Sequence, residues 1–305
     1  MELLLSLPVP VLFVVTTMAC LIAGVTKKEY SERYSNTQSG FFLFNAGYGA
    51  VCAFALFALS GFTLSASPFT VWTGAVFGVV TMASTLFYLR ALTLGSWGYT
   101  TVIYSLSTII PAFSGTLFWS EQLSLLQWIG IALMCVSIVF SVEKKDGEKK
   151  GGAKWLFFSL LSSVAMGLIG VLQKVHQTSA YKNELNAFLV IAFLALAVFA
   201  GGAVCVVKAK NKKERLFSLA KERVGWQWKT VLLLILSGIG VALNNVINLY
   251  LSGVVDSAIF FPIVNGSELI FTTVLAFALY KERLTKRQVF GFVCGLLAGI
   301  LLCIA

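Results

Sequence analysis

Ten runs of roughly twenty predominantly apolar residues, separated by short polar connections, constrain this chain more than any other feature. They cover 6–25, 41–60, 70–93, 97–119, 125–142, 154–174, 185–207, 229–251, 257–280 and 287–304. About twenty such residues carry an α-helix across the hydrocarbon core of a bilayer. Lipid offers no partner to a bare N–H or C=O, so each run must close its own hydrogen bonds as a helix. Of all residues 58% are hydrophobic and 12% charged, with a mean hydropathy of +0.87. Soluble domains hold about 45–50% and about 25%. The expected fold is all-α and integral to the membrane, with ten transmembrane helices. Met1-Glu2 lacks the positive region of a cleaved signal, so the first run reads as a retained span.

A displacement of 161 residues lays the second half over the first. Ser120-Glu121-Gln122-Leu123-Ser124 returns as Lys281-Glu282-Arg283-Leu284-Thr285, Gln127 falls on Gln288, and Gly130 on Gly291. This register holds from the third run over the eighth to the fifth over the tenth, while the first two match the sixth and seventh at an offset near 148. The halves are 1–142 and 154–305, joined by a charged, glycine-rich linker at 143–153. Five helices per half is an odd number, so the second copy enters the membrane upside down. Two inverted five-helix repeats result, with a shared site between similar bundles.

The charges follow the same plan. Of 23 Lys and Arg, only Lys174 and Lys182 fall in even-numbered connections; Lys27, Lys28 and Arg33 are counted with the first. Positive loops stay cytoplasmic, which puts the odd connections inside and both termini outside. The basic stretch 208–228, interleaved with Leu216, Phe217 and Trp226, reads as an amphipathic helix on the cytoplasmic leaflet. A net charge of +10 in such loops fits anionic lipid headgroups better than nucleic acid. Six cysteines in apolar runs and a single histidine, His176, give no basis for a metal or other cofactor. No phosphate-binding GxxxxGK(S/T) loop occurs, and no acid or histidine cluster marks an enzyme.

Two five-helix halves, with a Glu-x-Leu-(Ser/Thr) loop before the last helix of each and Gly291 seven residues after Leu284, resemble the drug/metabolite transporter superfamily. The likeness is to its ten-helix, EamA-like branch and covers essentially the whole chain. Family loops often read Gly-Glu-Arg-Leu; here Ser120 and Lys281 take the glycine position and Gln122 the first arginine. The resemblance implies a cell-membrane secondary transporter that exports a small metabolite or drug-like solute by alternating access. Uptake or exchange of a sugar-like or nucleotide-sugar-like solute is the alternative within transport. A non-transporting scaffold or a membrane enzyme is the alternative outside it.

Glu268 is the leading site residue. It lies twelve residues into the ninth run, at a depth where a carboxylate is costly and commonly functional. It would bind a cationic group or carry a coupling proton. Asn265 and Thr272 share its helical face, and the 161-residue offset maps this face onto Tyr104, Ser107 and Pro111. Asn244, Asn245 and Asn248 on the eighth run, with Ser84 as the counterpart of Asn245, complete the candidate set. Few cations are expected at that depth, which leaves a phosphate little to grip. Other features read as structure. Pro111 and Pro262 would kink or unwind their spans, and Glu121 and Glu282 would cap the helices that follow them. Gly291, Gly295 and Gly299 form a ridge for close packing within the chain or for a homodimer. A reporter fused after Ala305 is expected to be active on the non-cytoplasmic side; activity in the cytoplasm would reverse the orientation.

Overall fold

The computed structural model describes residues 2–34, 38–121, 124–141, 152–210, 228–280 and 286–304. Among the described residues there is no strand, and each of the ten apolar runs lies on helix. After a single turn, α1 (Glu2–Leu5), come α2 (Val9–Tyr34), α3 (Gln38–Leu59), α4 (Pro68–Leu94), α5 (Trp97–Tyr104) and α6 (Ile109–Trp119). Then follow α7 (Leu125–Ser141), α8 (Ala153–Gln177), α9 (Leu185–Lys210), α10 (Trp228–Val254), α11 (Ser257–Tyr280) and α12 (Lys286–Ile304). Among the described residues α2, α3, α4, α8, α9, α10 and the α5–α6 stretch are long and apolar enough to cross a membrane. α12 holds a shorter apolar stretch, Val289–Ala298. The linker expected at 143–153 lies almost wholly outside the described residues, as do most of the amphipathic segment 208–228 and Glu282.

Two helices depart from expectation. The first run was bounded at residue 25, yet α2 continues to Tyr34. Lys27, Lys28 and Arg33 therefore sit on a helix, not in a loop. The extension is polar but made of good helix formers, and Lys28 pairs with Glu32 one turn on at 3.2 Å. The fourth run is broken, with a 3₁₀ segment, Ser105–Thr108, dividing α5 from α6. Pro111 is the cause: it has no N–H to give the Ser107 carbonyl, and its ring crowds that turn. Nearby carbonyls find hydroxyls instead, with Ser105 Oγ donating to the Val102 carbonyl and Thr108 Oγ1 to that of Ser105, both at 2.7 Å. Pro262 breaks nothing, and α11 runs through it.

The expected caps also shift. Ser124 caps α7 by accepting from the Gln127 amide at 3.2 Å, and Gln127 Oε1 accepts from the Ser124 amide at 2.7 Å. This reciprocal box leaves Glu121 free for another role. Glu121 closes the preceding helix instead. Ser120 adopts φ +56°, and the Ser120 and Glu121 amides both reach the Gly115 carbonyl. A left-handed residue is needed there, which gives a physical reason for glycine at this position in the resembled family.

The two halves of the sequence do not form separate bundles. The most extensive helix pairings are α3 with α9, α7 with α12, α4 with α8 and α9, and α10 with α2 and α3. Every one joins the first five runs to the last five. A continuous core results, in which Phe44, Tyr48 and Phe77 pack with Phe188, Phe193 and Val241. Glycines let the backbones close. A Cβ on Gly78 of α4 would collide with the Ala192 carbonyl of α9, and one on Gly238 of α10 would meet Val51 and the Tyr48 carbonyl of α3. On α12, Gly291 faces α7 and its carbonyl accepts from Ser137 Oγ at 2.6 Å, so this part of the ridge is used within the chain. Gly78→Ala must push backbone from backbone and is expected to cost about 1–3 kcal/mol. Thermal unfolding of the purified protein in detergent checks this; an unchanged midpoint would mean that α4 and α9 approach less closely.

Candidate functional site

Polar side chains from helices of both halves converge on one cavity. α2 contributes Cys20, Gly24 and Lys27, at spacings that bring one helical face to the wall. α4 adds Thr81, Ser84, Thr85 and Tyr88; α10 adds Val241, Asn244, Asn245 and Asn248. Met166, Ile169 and Gln173 of α8, Tyr48 of α3, Tyr104 of α5 and Glu268 of α11 complete most of the lining. The cavity has a volume of about 70 Å³, room for a handful of waters at ~10–15 Å³ each.

Of the nine residues expected at the site, Ser84, Tyr104, Asn244, Asn245, Asn248 and Glu268 are on this wall. Asn265, Ser107 and Thr272 are buried away from it. Asn265 Nδ2 donates to Thr108 Oγ1 at 2.7 Å and to Ser107 Oγ at 3.4 Å, tying α11 to the 3₁₀ segment. Thr272 Oγ1 donates to the Glu268 carbonyl at 2.6 Å. All three act as ties between helices or to their own backbone. Ser107, paired with Glu268 by the 161-residue offset, does not stand across the cavity from it.

The wall is held by hydrogen bonds from behind. Asn244 Nδ2 donates to Thr16 Oγ1 at 2.8 Å and to Cys20 Sγ at 2.9 Å, while Thr16 Oγ1 donates to Asn248 Oδ1 at 2.9 Å. One buried hydroxyl on α2 thus orients two asparagines of α10. On the other side Tyr48 Oη meets Thr85 Oγ1 at 3.1 Å, and Trp97 Nε1 donates to Tyr88 Oη at 3.1 Å. The Tyr88 ring lies 4.9 Å from that of Tyr104 and 5.9 Å from Lys27 Nζ. Aromatic face and ammonium attract each other at that range.

Lys27 is the functional candidate that the sequence reading missed, because averaged hydropathy ends the first run at residue 25. Its spacing from Cys20, two helical turns, was the available signal. Lys27 and Glu268 place a basic and an acidic group on the wall of one cavity. Lys27 is thus one of the few cations expected at that depth. Among the described residues no cluster of three or more His, Cys, Asp or Glu could hold a metal ion.

Lining residues also recur at fixed separations. Cys20 and Met166, Ala23 and Ile169, and Lys27 and Gln173 are lining pairs separated by 146 residues. Thr81 and Val241, Ser84 and Asn244, Thr85 and Asn245, and Tyr88 and Asn248 are lining pairs separated by 160. Asn245, matched to Ser84 by the 161-residue offset, is on the same wall.

The family model described as "EamA-like transporter family" matches twice, over residues 9–142 and 153–304. The chain belongs to the EamA-like transporter family. It is a multi-pass integral membrane protein of that family. A relative from Sinorhizobium sp., named "Uncharacterized transporter in cobO 3'region", is 40% identical over 60 residues, 20% of this chain. The match spans 43% of that relative's length. A crystal structure titled only as that of a protein superposes with a TM-score of 0.61 at 14% identity, over 94% of this chain and 95% of the other. That likeness is one of fold.

Thr16 generates a local prediction for this EamA-like protein. Thr16→Val removes one of the two acceptors of the Asn244 amide and a donor to Asn248, and is expected to cost about 1–3 kcal/mol. Thr16→Ser should stay near wild type in thermal unfolding. Equal midpoints for both variants would mean that the hydroxyl carries no load.

Proposed function

We propose that this protein is a secondary transporter that moves a small metabolite or drug-like solute by alternating access, with the cavity around Glu268 as its central site. The observation that carries the reading is the convergence of polar and charged side chains from both sequence halves on one chamber. Helix pairings also obey a five-helix step. α2 packs on α10 as α8 packs on α4, while α3 with α9 and α7 with α12 map onto themselves. That pattern supports ten spans in two inverted repeats, 1–142 and 154–305. The loop charges support a cell-membrane protein with both termini outside. Export is the direction favoured by the family likeness. A homodimer through the glycine ridge has little to use, since Gly291 lies against α7 and Gly295 is buried within the chain.

Lys27 and Glu268 together favour a solute with groups of both signs, such as an amino-acid derivative. A simple cation would leave Lys27 unpaired in a poorly solvated chamber, and a simple anion would do the same to Glu268. A neutral sugar-like solute, the alternative, would use neither charge and rely on the asparagines. A scaffold or membrane enzyme has no observation here in its favour.

Glu268 is assigned the coupling role, as the acid on the wall that can exchange a proton with the cavity. In proteoliposomes, Glu268→Gln is expected to abolish the response of solute flux to an imposed pH gradient. Flux that still follows the gradient would remove Glu268 from coupling, and absence of flux for every member of a broad solute screen would overturn the transport reading.

A further inference from the structure

A second set of polar contacts, some of them buried, lies where α6 and α8 end and α4 and α11 begin. Lys174 Nζ meets Glu121 Oε1 at 2.8 Å, with only 9% and 11% of the two side chains exposed. Ser257 Oγ donates to the same oxygen at 3.3 Å. Trp119 Nε1 donates to Thr178 Oγ1 at 3.0 Å. Thr70 Oγ1 lies 3.4 Å from Nε2 of the fully buried His176. Just past α8, Glu184 Oε2 accepts from both the amide and the hydroxyl of Ser67 at 2.9 Å. These contacts share a plan. Each ties the first half of the sequence to the second, and nearly all converge on the last turn of α8 and the residues just after it.

The cavity lies immediately below. Gln173, beside Lys174 in sequence, is on its wall. Room for the lock is kept by Gly115, where a Cβ would collide with the Glu121 carboxylate. Glu121 Oε2 is buried without a hydrogen-bond partner among the described residues. The pair is thus only partly satisfied by protein, and water reaching it would solvate both charges. A buried ion pair of this kind holds while dry, yet its separation is compensated once each ion is hydrated. Two such arrangements of one contact make a switch between closed and open, not a continuously deformable joint.

We propose that the C-terminal turn of α8, Lys174–Thr178, is a latch that closes the cavity at this end, with the Glu121–Lys174 pair as its lock. Solute reaches or leaves the cavity by this end when the pair separates and takes up water. The inference rests on the transport reading for its purpose, but the closure itself is a property of the fold. It gives Glu121 a role in gating, in place of the helix cap expected from sequence.

Cys20, a native cysteine on the cavity wall, is the reporter. Sealed vesicles are treated with a membrane-impermeant maleimide on the face that bears the Glu121 loop, and Cys20 labelling is followed by peptide mass spectrometry. Lys174→Met and Glu121→Gln are expected to raise the labelling rate about tenfold by unpairing the lock. The charge swap Glu121→Lys/Lys174→Glu should return it toward wild type. Trp119→Phe, which removes one contact at an exposed edge, should raise it by a smaller factor and keeps the test open if the charge variants fail to fold. Wild-type labelling in the folded variants would overturn the latch and leave transport standing. Labelling that follows the lock, in a protein that moves no solute, would keep the latch and overturn the transport reading.

Discussion

Hydrocarbon cannot hydrogen-bond, and the rest of this structure depends on that fact. It forces the backbone into helices, since each helix closes its own N–H and C=O groups. It then acts on side chains. Thr17, Thr26, Thr73 and Ser159 turn their hydroxyls back onto carbonyls of the preceding turn, at 2.7–2.9 Å. Groups too long or too charged for that must meet one another or a wet chamber. Lys27 and Glu268 share a cavity, while Lys174 and Glu121 share a bond. Large apolar residues such as Phe54, Trp72, Leu117 and Leu125 stay on the outside, where lipid is an adequate solvent.

Helices were legible in the sequence because they depend on composition over twenty-odd residues, a local property. Partners were not legible, and the expectation of two bundles side by side fails for that reason. Nothing in the run containing Phe44 and Tyr48 announces that its main neighbour is the run containing Phe188 and Phe193. The pairing is decided by shape, through contacts such as Gly78 against the Ala192 carbonyl. Lys27 was lost to averaging across a helix end. Ser107 was paired with Glu268 by the 161-residue offset alone, and within the 3₁₀ segment Ser105–Thr108 its hydroxyl accepts from Asn265 of α11.

The two halves of the sequence bring different chemistry to the wall. Lys27, Tyr88 and Ser84 come from the first half, and Gln173, Asn244, Asn245 and Asn248 from the second. The cation thus comes from one half and the carboxamides from the other. On the proposed reading, that asymmetry gives a bound solute one preferred orientation. A chamber with equivalent sides would accept a molecule either way round.

The small size of the chamber has a thermodynamic consequence. On the proposed transport reading, a space with room for a handful of waters takes in a metabolite only as helices move apart. Part of every contact made with a guest is offset by packing lost between α2, α4, α8 and α10. Measured affinity will therefore understate the strength of the contacts, and guests of similar polarity will rank by the shape of the expansion they impose. For this protein, recognising a molecule and changing shape are one event.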